Sequence, residues 1–258
     1  MICEGVFNVI VERARGYKYS SLNYISFDAC KNAEILYDSD ALILLQDKSQ
    51  TPSMLYFATN NFEEVVKIVT RKSDKLRLHF VPRGYAEQLK ELGFTEWGEY
   101  ADFWNFDLAK TAEKFGDLDE IEYLSLDECE EASIVTRNCM LQSRGFEGAP
   151  PEFYEEWLND GNHVIVGRLD SVIAGVCCVA IYNEGTTLWV KEFAVDPKHQ
   201  GVGLGKKLMK QAIKYGHQFG AVKGFLLADV LNENAIGLYR KYDFHMKVDE
   251  SELQMIRD

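Results

Sequence analysis

The chain has 258 residues, of which 47% are hydrophobic and 12% aromatic, and it carries a formal net charge of −13. This composition excludes extended disorder, and the length exceeds the roughly 100–150 residues of a typical single domain. The negative charge, with a pI near 4.9, argues against nucleic acid and anionic membrane surfaces as partners and favours a cationic substrate.

In the first half of the chain, apolar periodicity predicts alternating strands and helices. Strands are expected at 41–47, 53–59 and 75–81, and helices within SLNYISFDACKNAEIL and at 61–72 and 85–94. Gly93 suits the left-handed cap of the last of these helices. An aromatic-rich extended segment follows at 95–108, and the charged stretch 109–120 lacks apolar periodicity. We expect that charged stretch to separate two domains.

The second half opens with a new strand and a new helix. The sequence predicts a strand at 121–126, a helix at 127–141 with Asp127 as its N-cap, a loop at 142–150, an acidic aromatic helix at 151–161, and a hairpin at 163–183 hinged at 169–171. A strand at 186–197 then leads through glycines into a helix, and a strand at 222–230 precedes a helix within 232–244. This order predicts an α/β chain.

Cysteine, histidine and apolar content point to an intracellular protein without a metal. The six cysteines show no CxxC spacing, so buried reduced thiols are expected, with the adjacent Cys177 and Cys178 on opposite faces of a strand. The five histidines form no metal-ligand or Ser-His-Asp spacing. No segment approaches the ~18–20 apolar residues that span a bilayer, and the N-terminus lacks a basic leader, so we expect a cytoplasmic protein.

The glycine-rich stretch from Gln200 to Gly205, QGVGLG, is the strongest functional signal. It joins a strand to a helix whose first turn carries Lys206 and Lys207. Glycines let the backbone approach a ligand, and amides at a helix start bind anions. Five lysines and no carboxylate between Lys198 and Lys214 also favour an anionic ligand, although Lys210 and Lys214 equally suit a solvated helix face.

Two familiar phosphate-binding motifs do not fit this stretch. A dinucleotide fingerprint needs a third glycine three residues after Gly203 or Gly205, where Lys206 and Leu208 stand. A Walker A loop needs a glycine five residues before Gly205 and Ser or Thr after the lysine, where Gln200 and Lys207 stand. A tight strand-to-helix turn without a ligand is the remaining alternative.

The pattern Q-x-x-G-x-G after the strand end AVDP resembles the pyrophosphate loop of the GCN5-related N-acetyltransferase (GNAT) family. Downstream, NENAIGLYRKYDF from Asn232 to Phe244 is similar to the second signature of that family, N-x-x-A-x-x-L-Y-x-K-x-G-F. Asp243 departs from it at the usual glycine, although Asp tolerates left-handed geometry better than most residues. The resemblance covers roughly residues 120–250.

The resemblance implies acetyl-coenzyme A as co-substrate and a set of binding residues, without any metal. The set comprises Phe193, Ala194 and Val195 on the strand, the loop residues Gln200, Gly201, Val202, Gly203, Leu204, Gly205 and Lys206, and Asn232 near the thioester. Tyr239 lies where the family often has its general acid.

Acetyl transfer to an amine also needs a base, because an amine with a pKa of about 10 is protonated at neutral pH. Glu192, two residues before Ala194 on the same predicted strand face, is the candidate, and Asp229 at the end of the next strand is the alternative. Tyr239 remains protonated at neutral pH and can give a proton to the departing thiolate. The alternatives are that Tyr239 is a core aromatic and that Glu192 is a structural carboxylate.

The two halves of the chain share a pattern at an offset of 150 residues. Tyr85, Leu89, Leu92 and Phe94 fall on Ala235, Tyr239, Tyr242 and Phe244. The sequence therefore predicts two tandem GNAT-like domains, each a mixed, mostly antiparallel sheet flanked by helices: a degenerate copy at 1–112 and an acetyl-coenzyme A-binding copy at 118–258. Chance similarity between two strand–helix units is the alternative.

We expect an acyltransferase of class EC 2.3.1.- that acetylates a primary amine of a small molecule by direct attack in a ternary complex. The acidic aromatic segment from Glu152 to Asp160 suits a cationic acceptor or an ordinary surface helix. Two alternatives stay open, namely a non-catalytic coenzyme A-binding sensor or interaction module, and an enzyme that acetylates protein lysines or N-termini. No heptad or long apolar run specifies an oligomer.

Overall fold

The computed structural model describes residues 2–23, 25, 27–115, 120–141, 148–246 and 251–258. The chain divides into two compact units, Met1–Tyr100 with Asp249–Asp258, and Ala101–Val248. Within the described residues, none of the helices combines the length and the apolar content needed to cross a bilayer.

The first unit is a mixed sheet with helices. Its strands are β1 (Tyr19–Ser20), β2 (Glu34–Asp38), β3 (Leu42–Asp47), β4 (Ser53–Thr59), β5 (Leu76–Pro82), the first part of β6 (Thr95–Asn105) and β12 (Glu252–Arg257), and its helices are α1 (Glu4–Ala14), α2 (Phe27–Cys30), α3 (Glu63–Thr70) and α4 (Ala86–Glu91). The order is β2-β3-β4-β5-β12-β6, with β1 beside β4. The β4–β5 pair is parallel, and the other pairs are antiparallel.

The second unit contains the glycine-rich loop. Its further elements are α5 (Leu108–Ala112), α6 (Cys129–Met140), α7 (Pro151–Asn159), β7 (His163–Leu169), β8 (Val172–Tyr182), β9 (Thr187–Val195), α8 (Leu204–Gln218), β10 (Lys223–Asp229), α9 (Glu233–Lys241) and β11 (His245–Met246). The order is β6-β10-β9-β8-β7, with β11 antiparallel to β6. β7, β8 and β9 are antiparallel to one another, and β9 and β10 are parallel. A mixed, mostly antiparallel sheet flanked by helices is thereby confirmed.

Alternation along β8 divides the core of the second unit between the two faces of its sheet. Cys177 packs with residues of α8 and α9, whereas Cys178 packs with residues of α6 and α7. The predicted placement of these two thiols on opposite faces is confirmed, and all six cysteines are free. The predicted hairpin is confirmed as well, because Asp170 and Ser171 join β7 to β8 with φ of 50° and 67°, as a tight turn of matching twist requires.

Local predictions were wrong in three places. The segment 121–126 is no continuous strand and makes only an isolated bridge, Tyr123 to Ile165. Asp127 is not an N-cap: it lies inside the short 3-10 turn Leu126–Glu128 that precedes α6, and Ser125 caps this turn in a capping box in which its hydroxyl and its backbone amide donate to the Glu128 carboxylate. Near the N-terminus the main helix is α1, which buries Phe7, Ile10 and Ala14 on one face. Among the described residues of the segment where we expected a helix, only Phe27–Cys30 is helical.

The division into units differs from the predicted ranges 1–112 and 118–258. It falls between Tyr100 and Ala101, inside β6, and the C-terminal strand β12 returns to the first unit. Leu108 is fully buried in the core of the second unit, and its amide bonds to the Val222 carbonyl at 3.0 Å. The charged stretch 109–120 therefore begins inside α5, a helix that is anchored in the second unit. Residues 116–119 and 142–147, within the predicted linker and loop, lie outside the described residues.

Candidate active site

The neighbouring strands β9 and β10 open into a pocket at their carboxyl ends. They pair in parallel from Thr187 opposite Lys223 to Val190 opposite Leu226. The pocket is lined by Met140, Val190, Lys191, Glu192, Phe193, Leu226, Leu227, Ala228, Asp229, Asn232, Ala235 and Tyr239. Ligands commonly bind at the carboxyl ends of parallel strands, so this opening is the candidate active site.

A β-bulge shapes the β9 side of the pocket. The register between β8 and β9 shifts so that two residues, Lys191 and Glu192, oppose the single residue Cys178. A bulge bends its strand and re-aims side chains, and bulges are frequent beside active sites. Both Lys191 and Glu192 line the pocket, whereas successive residues of a regular strand point to opposite faces.

Glu192 is a half-buried carboxyl in the pocket wall. Burial raises the pKa of Glu192 to about 7, and the positive charge of Lys191 acts in the opposite direction. A carboxyl with a pKa near neutral pH can take up and release a proton under physiological conditions. This environment gives Glu192 the protonation behaviour that a general base needs.

Tyr239 belongs to the hydrophobic core of the second unit and also lines the pocket. Its ring packs edge-on against Phe193 at a centroid distance of 6.2 Å, and it is tilted against the ring of Phe103 at 5.9 Å. Burial raises the pKa of its hydroxyl, which therefore stays protonated at neutral pH and can donate a proton. The sequence left open whether Tyr239 is a core aromatic or lies at the active site. In the structure it is part of the core and also lines the pocket.

The glycine-rich loop precedes α8 with two left-handed residues. Gly201 has φ of 83° and Gly203, the N-cap, has φ of 93°. A Cβ atom at either position would meet no atom within 4 Å, so space lies open beside the backbone. The side-chain amide of Gln200 donates to the Val195 carbonyl at 3.0 Å and ties the loop to β9. Within the described part of the chain, no side chain caps the start of α8, which leaves its amides to a ligand or to water.

The remaining predicted loop residues differ in the solvent exposure of their side chains. Val202 and Lys206 are exposed, whereas the Leu204 side chain is buried in the core. Leu204 can therefore offer a ligand only its backbone. A Cβ at Gly205 would lie 3.9 Å from the Phe193 ring and 3.8 Å from Val195, so the first turn of α8 lies directly against β9.

The side chains on β9 face in different directions. Phe193 and Val195 pack toward the α8 and α9 side, whereas Ala194 is buried toward α6 and α7. Of these three predicted coenzyme-binding residues, Phe193 alone lines the pocket. Ala194 can reach a ligand on the opposite face only through its backbone.

Asp229 and Asn232 form the turn from β10 into α9. The Asp229 carboxylate accepts a hydrogen bond from the Leu231 amide at 2.8 Å, and its carbonyl accepts one from the Asn232 amide at 3.0 Å. The Asn232 side chain accepts from the Ala235 amide at 3.1 Å and caps α9. Both residues line the pocket, so each combines a structural bond with a position beside a bound ligand.

Met140 and Lys191 also line the pocket, although no sequence pattern pointed to either of them. Lys191 projects over the rings of Phe153 and Trp157 on α7. These rings belong to the acidic aromatic segment that suits a cationic acceptor, and its third aromatic, Tyr154, is fully buried and bonds to Thr136 at 3.1 Å. The sequence did not predict Lys191 as a pocket residue because its orientation depends on the β-bulge, which a regular strand pattern does not include.

Across the described residues, no group of three His, Cys, Asp or Glu side chains is placed to hold a metal ion. The titratable side chains that line the pocket are Lys191, Glu192, Asp229 and Tyr239.

Known acetyltransferases resemble the part of the chain that forms this pocket. Residues 123–244 match the model of the Acetyltransferase (GNAT) family. Over 63 residues the chain is 33% identical to the spermine/spermidine N(1)-acetyltransferase of Bacillus subtilis, and the match covers 24% of this chain and 41% of that protein. The chain thus spans less than half of this curated relative.

Solved structures with the same fold match nearly the whole chain. An acetyltransferase of the GNAT family from Colwellia psychrerythraea has a TM-score of 0.61 at 10% identity, covering 99% of this chain and 97% of its own. A GCN5-related N-acetyltransferase from Kribbella flavida has a TM-score of 0.56 at 15% identity, covering 98% and 94%. Residues 123–244 are thus similar to the GNAT acetyltransferase family, and the two solved structures share the fold of the chain.

Proposed function

We propose that the protein is an N-acetyltransferase that transfers the acetyl group of acetyl-coenzyme A to a primary amine of a small molecule, by direct attack in a ternary complex. The observation that carries this proposal is that Glu192 and Tyr239 line one pocket, whose Phe193 lies against Gly205 at the end of the glycine-rich loop. One group has a pKa near 7 and the other stays protonated at that pH. Amide formation from a protonated amine and a thioester needs one proton acceptor and one proton donor.

The loop from Gln200 to Lys206 fits the pyrophosphate of coenzyme A. The open space beside Gly201 and Gly203 lets phosphate oxygens approach the backbone amides, and the start of α8 adds a partial positive charge. The exposed Lys206 supplies a full positive charge at the same place. The backbone of Phe193, Ala194 and Val195 then leads from this loop toward the pocket, where Asn232 lies.

Two side chains move the protons in this proposal. Bound acetyl-coenzyme A supplies an activated thioester. Glu192 accepts a proton from the amine, directly or through water, because an amine with a pKa of about 10 is not nucleophilic while protonated. Glu192 passes this first proton to solvent. As the tetrahedral intermediate collapses, Tyr239 donates its phenolic proton to the departing sulfur, and the nitrogen releases its second proton, through Glu192 or water, which restores the phenol of Tyr239.

The acceptor is proposed from charge and from one relative. The net charge of −13 attracts a cationic amine at long range. The Bacillus subtilis relative is named a spermine/spermidine N(1)-acetyltransferase, so polyamines are the first acceptors to test.

We also propose that the first unit is a degenerate copy of the second. In both units a parallel strand pair precedes a helix, β4–β5 before α4 and β9–β10 before α9. The step from β4 into α3 passes through Asn60 and Asn61, without glycine or lysine. This favours coenzyme binding in the second unit alone.

Calorimetric titration with acetyl-coenzyme A tests the binding part of the proposal. The variant Gly203→Glu places a carboxylate where the pyrophosphate is proposed to bind, and we expect affinity to fall at least about 100-fold. Gly220→Glu is the matched control, because Gly220 is also exposed, has φ of 86°, and would place a Cβ atom with no other atom within 4 Å. Equal affinity of wild type and Gly203→Glu, or no binding to wild type, contradicts the proposal.

Steady-state kinetics with a panel of amines test the catalytic part. Tyr239→Phe removes only the hydroxyl, so we expect turnover to fall about 100-fold or more with an unchanged coenzyme dissociation constant. A coenzyme A-binding sensor gives a different result, since wild type would then bind the coenzyme without acetylating any amine.

A further inference from the structure

The ammonium group of Lys191 lies among three aromatic rings. Its Nζ is 4.8 Å from the ring centroid of Phe153, 5.2 Å from that of Trp189 and 5.4 Å from that of Trp157. All three distances are within the range of cation–π attraction. Part of the side chain reaches solvent, but the rings desolvate the ammonium, and this burial lowers the pKa of Lys191 while Glu192 raises it.

These three rings are themselves held in place. The Trp157 indole donates to the His163 carbonyl at 3.0 Å. Phe153 stands four residues earlier on α7 and stacks on Trp157 at 5.8 Å, and Trp189 meets Trp157 edge-on at 5.7 Å. A lysine on an open strand samples many rotamers, whereas this cage restricts Lys191 to one region beside the pocket.

We propose that Lys191 is a positioning residue, held by its aromatic cage, that increases the ionised fraction of Glu192 at neutral pH. The bulge makes the two residues neighbours in the pocket wall. A half-buried carboxyl loses much of its hydration, and a fixed cation beside it replaces part of what hydration supplied. This inference rests on the proposed function, because it assigns Lys191 a role in preparing the base of that reaction.

The other titratable groups that face Glu192 do not supply this positive charge. They are Cys178 on β8, Cys139 on α6, Tyr154 on α7, Tyr239 on α9 and Asp229 on β10. Burial raises the pKa of both thiols and of both phenols, so these four groups are neutral at pH 7. A charge on Asp229 would oppose ionisation of Glu192. Among these described groups, Lys191 is the cation.

The direct test is the titration of Glu192 by NMR, with carboxyl-labelled glutamate in the full chain and no ligand. In Lys191→Met we expect the Glu192 pKa to rise by about one unit, so that the ionised fraction at pH 7 falls about fivefold, from about one half to about one tenth. Methionine preserves the contacts with the rings, and Lys191→Arg preserves the charge and should titrate like wild type.

Lys223→Met is the matched control. Lys223 lies over a single ring, that of Trp104 at 5.7 Å, and does not line the pocket. Its removal lowers the net charge equally and should leave the Glu192 titration unchanged. An unchanged titration in Lys191→Met overturns the inference, and so does an equal shift in Lys223→Met, which would indicate a general charge effect.

The pH profile of acetyl transfer provides the second measurement. The acidic limb of kcat/KM should move upward in Lys191→Met by the same amount as the Glu192 pKa, and it should return to the wild-type position in Lys191→Arg. A Glu192 shift without a shift of this limb overturns the role of Lys191 in the reaction. Absence of transfer by wild type, with the titration behaving as expected, contradicts the proposed function instead.

Discussion

Gly93 and Asp243 have the same left-handed backbone conformation, with φ of 85° and 61°, and each precedes a buried phenylalanine. The Phe94 amide donates to the Leu89 carbonyl at 3.0 Å, and the Phe244 amide donates to the Tyr239 carbonyl at 3.0 Å. The two helix ends therefore use one turn, with glycine in the first unit and aspartate in the second. The Asp243 carboxylate compensates for its torsion by accepting bonds from Thr111, at 2.9 Å, and from Lys114.

Replacing Asp243 by alanine should destabilise the protein. The variant keeps the left-handed strain and loses both bonds, so we expect the free energy of unfolding to fall by about 1–2 kcal/mol. Asp243→Gly loses the same bonds but relieves the strain, and it should fall between alanine and wild type. Urea denaturation of the three proteins measures the order. Equal stability of the alanine and glycine variants would contradict the role assigned to the torsion.

Two substitutions at Asn232 separate capping from ligand binding. Asp retains an oxygen that can accept the bond from the Ala235 amide, so Asn232→Asp should keep the stability of wild type, whereas Asn232→Ala should lose about 1 kcal/mol. If Asn232 also meets the coenzyme, both variants lose its amide donor and both weaken acetyl-coenzyme A binding. Denaturation and calorimetry on the same samples distinguish the two effects. If only Asn232→Ala, and not Asn232→Asp, binds acetyl-coenzyme A more weakly, then Asn232 contributes to binding only by capping α9.

Short-range patterns predicted much of the second unit. The hairpin at Asp170 and Ser171, the strand β9 and the helix α8 follow from alternation, turn residues and helical spacing. Tyr239 was predicted from the family resemblance and Glu192 from the need for a base on the neighbouring strand, and both residues line one pocket.

The features that the sequence did not predict depend on contacts between residues that are distant in the chain, which no local pattern encodes. The bulge opposite Cys178 is a property of two paired strands, so the orientation of Lys191 could not be read from β9 alone. The return of β12 to the first unit joins residues that are far apart in sequence, such as Leu253 and Val81. The boundary inside β6 is equally non-local, since one continuous strand contributes to both units.

Glu192 should destabilise the folded protein at high pH. Its pKa is raised from 4.5 in the unfolded chain to about 7, so between these values the unfolded state gives up its proton first. The free energy of unfolding therefore decreases as pH rises through this window and levels off above pH 7. In Glu192→Gln we expect this slope to disappear and stability at pH 8 to increase by roughly 1–3 kcal/mol.

The same Glu192→Gln variant should be a poor enzyme. If Glu192 is the base, acetyl transfer falls by about 100-fold or more while the protein becomes more stable. Denaturation at pH 5 and pH 8, combined with kinetics, measures both quantities. A variant that loses stability at pH 8 and retains transfer would leave Glu192 as a structural carboxylate, which was the alternative drawn from the sequence.

His79 in the first unit should reduce stability in acid. Burial lowers the pKa of His79 to about 4, and the charge of Arg77 acts in the same direction. Its Nε2 is buried without a hydrogen-bond partner among the described residues. The unfolded chain takes up a proton near pH 6.5 and the folded chain does not, so stability is retained above that pH and falls as the pH drops toward 4. A phenylalanine at this position has no proton to bind.

We therefore expect His79→Phe to be more stable than wild type at pH 5 by about 1–2 kcal/mol, and less different at pH 8, where the imidazole is neutral in both states. His217→Gln is the control, because His217 is exposed and its loss should leave the pH dependence unchanged. Thermal or urea denaturation between pH 5 and pH 8 gives the slopes. If His79→Phe loses stability toward pH 5 as steeply as wild type, other groups govern the acid sensitivity of this unit.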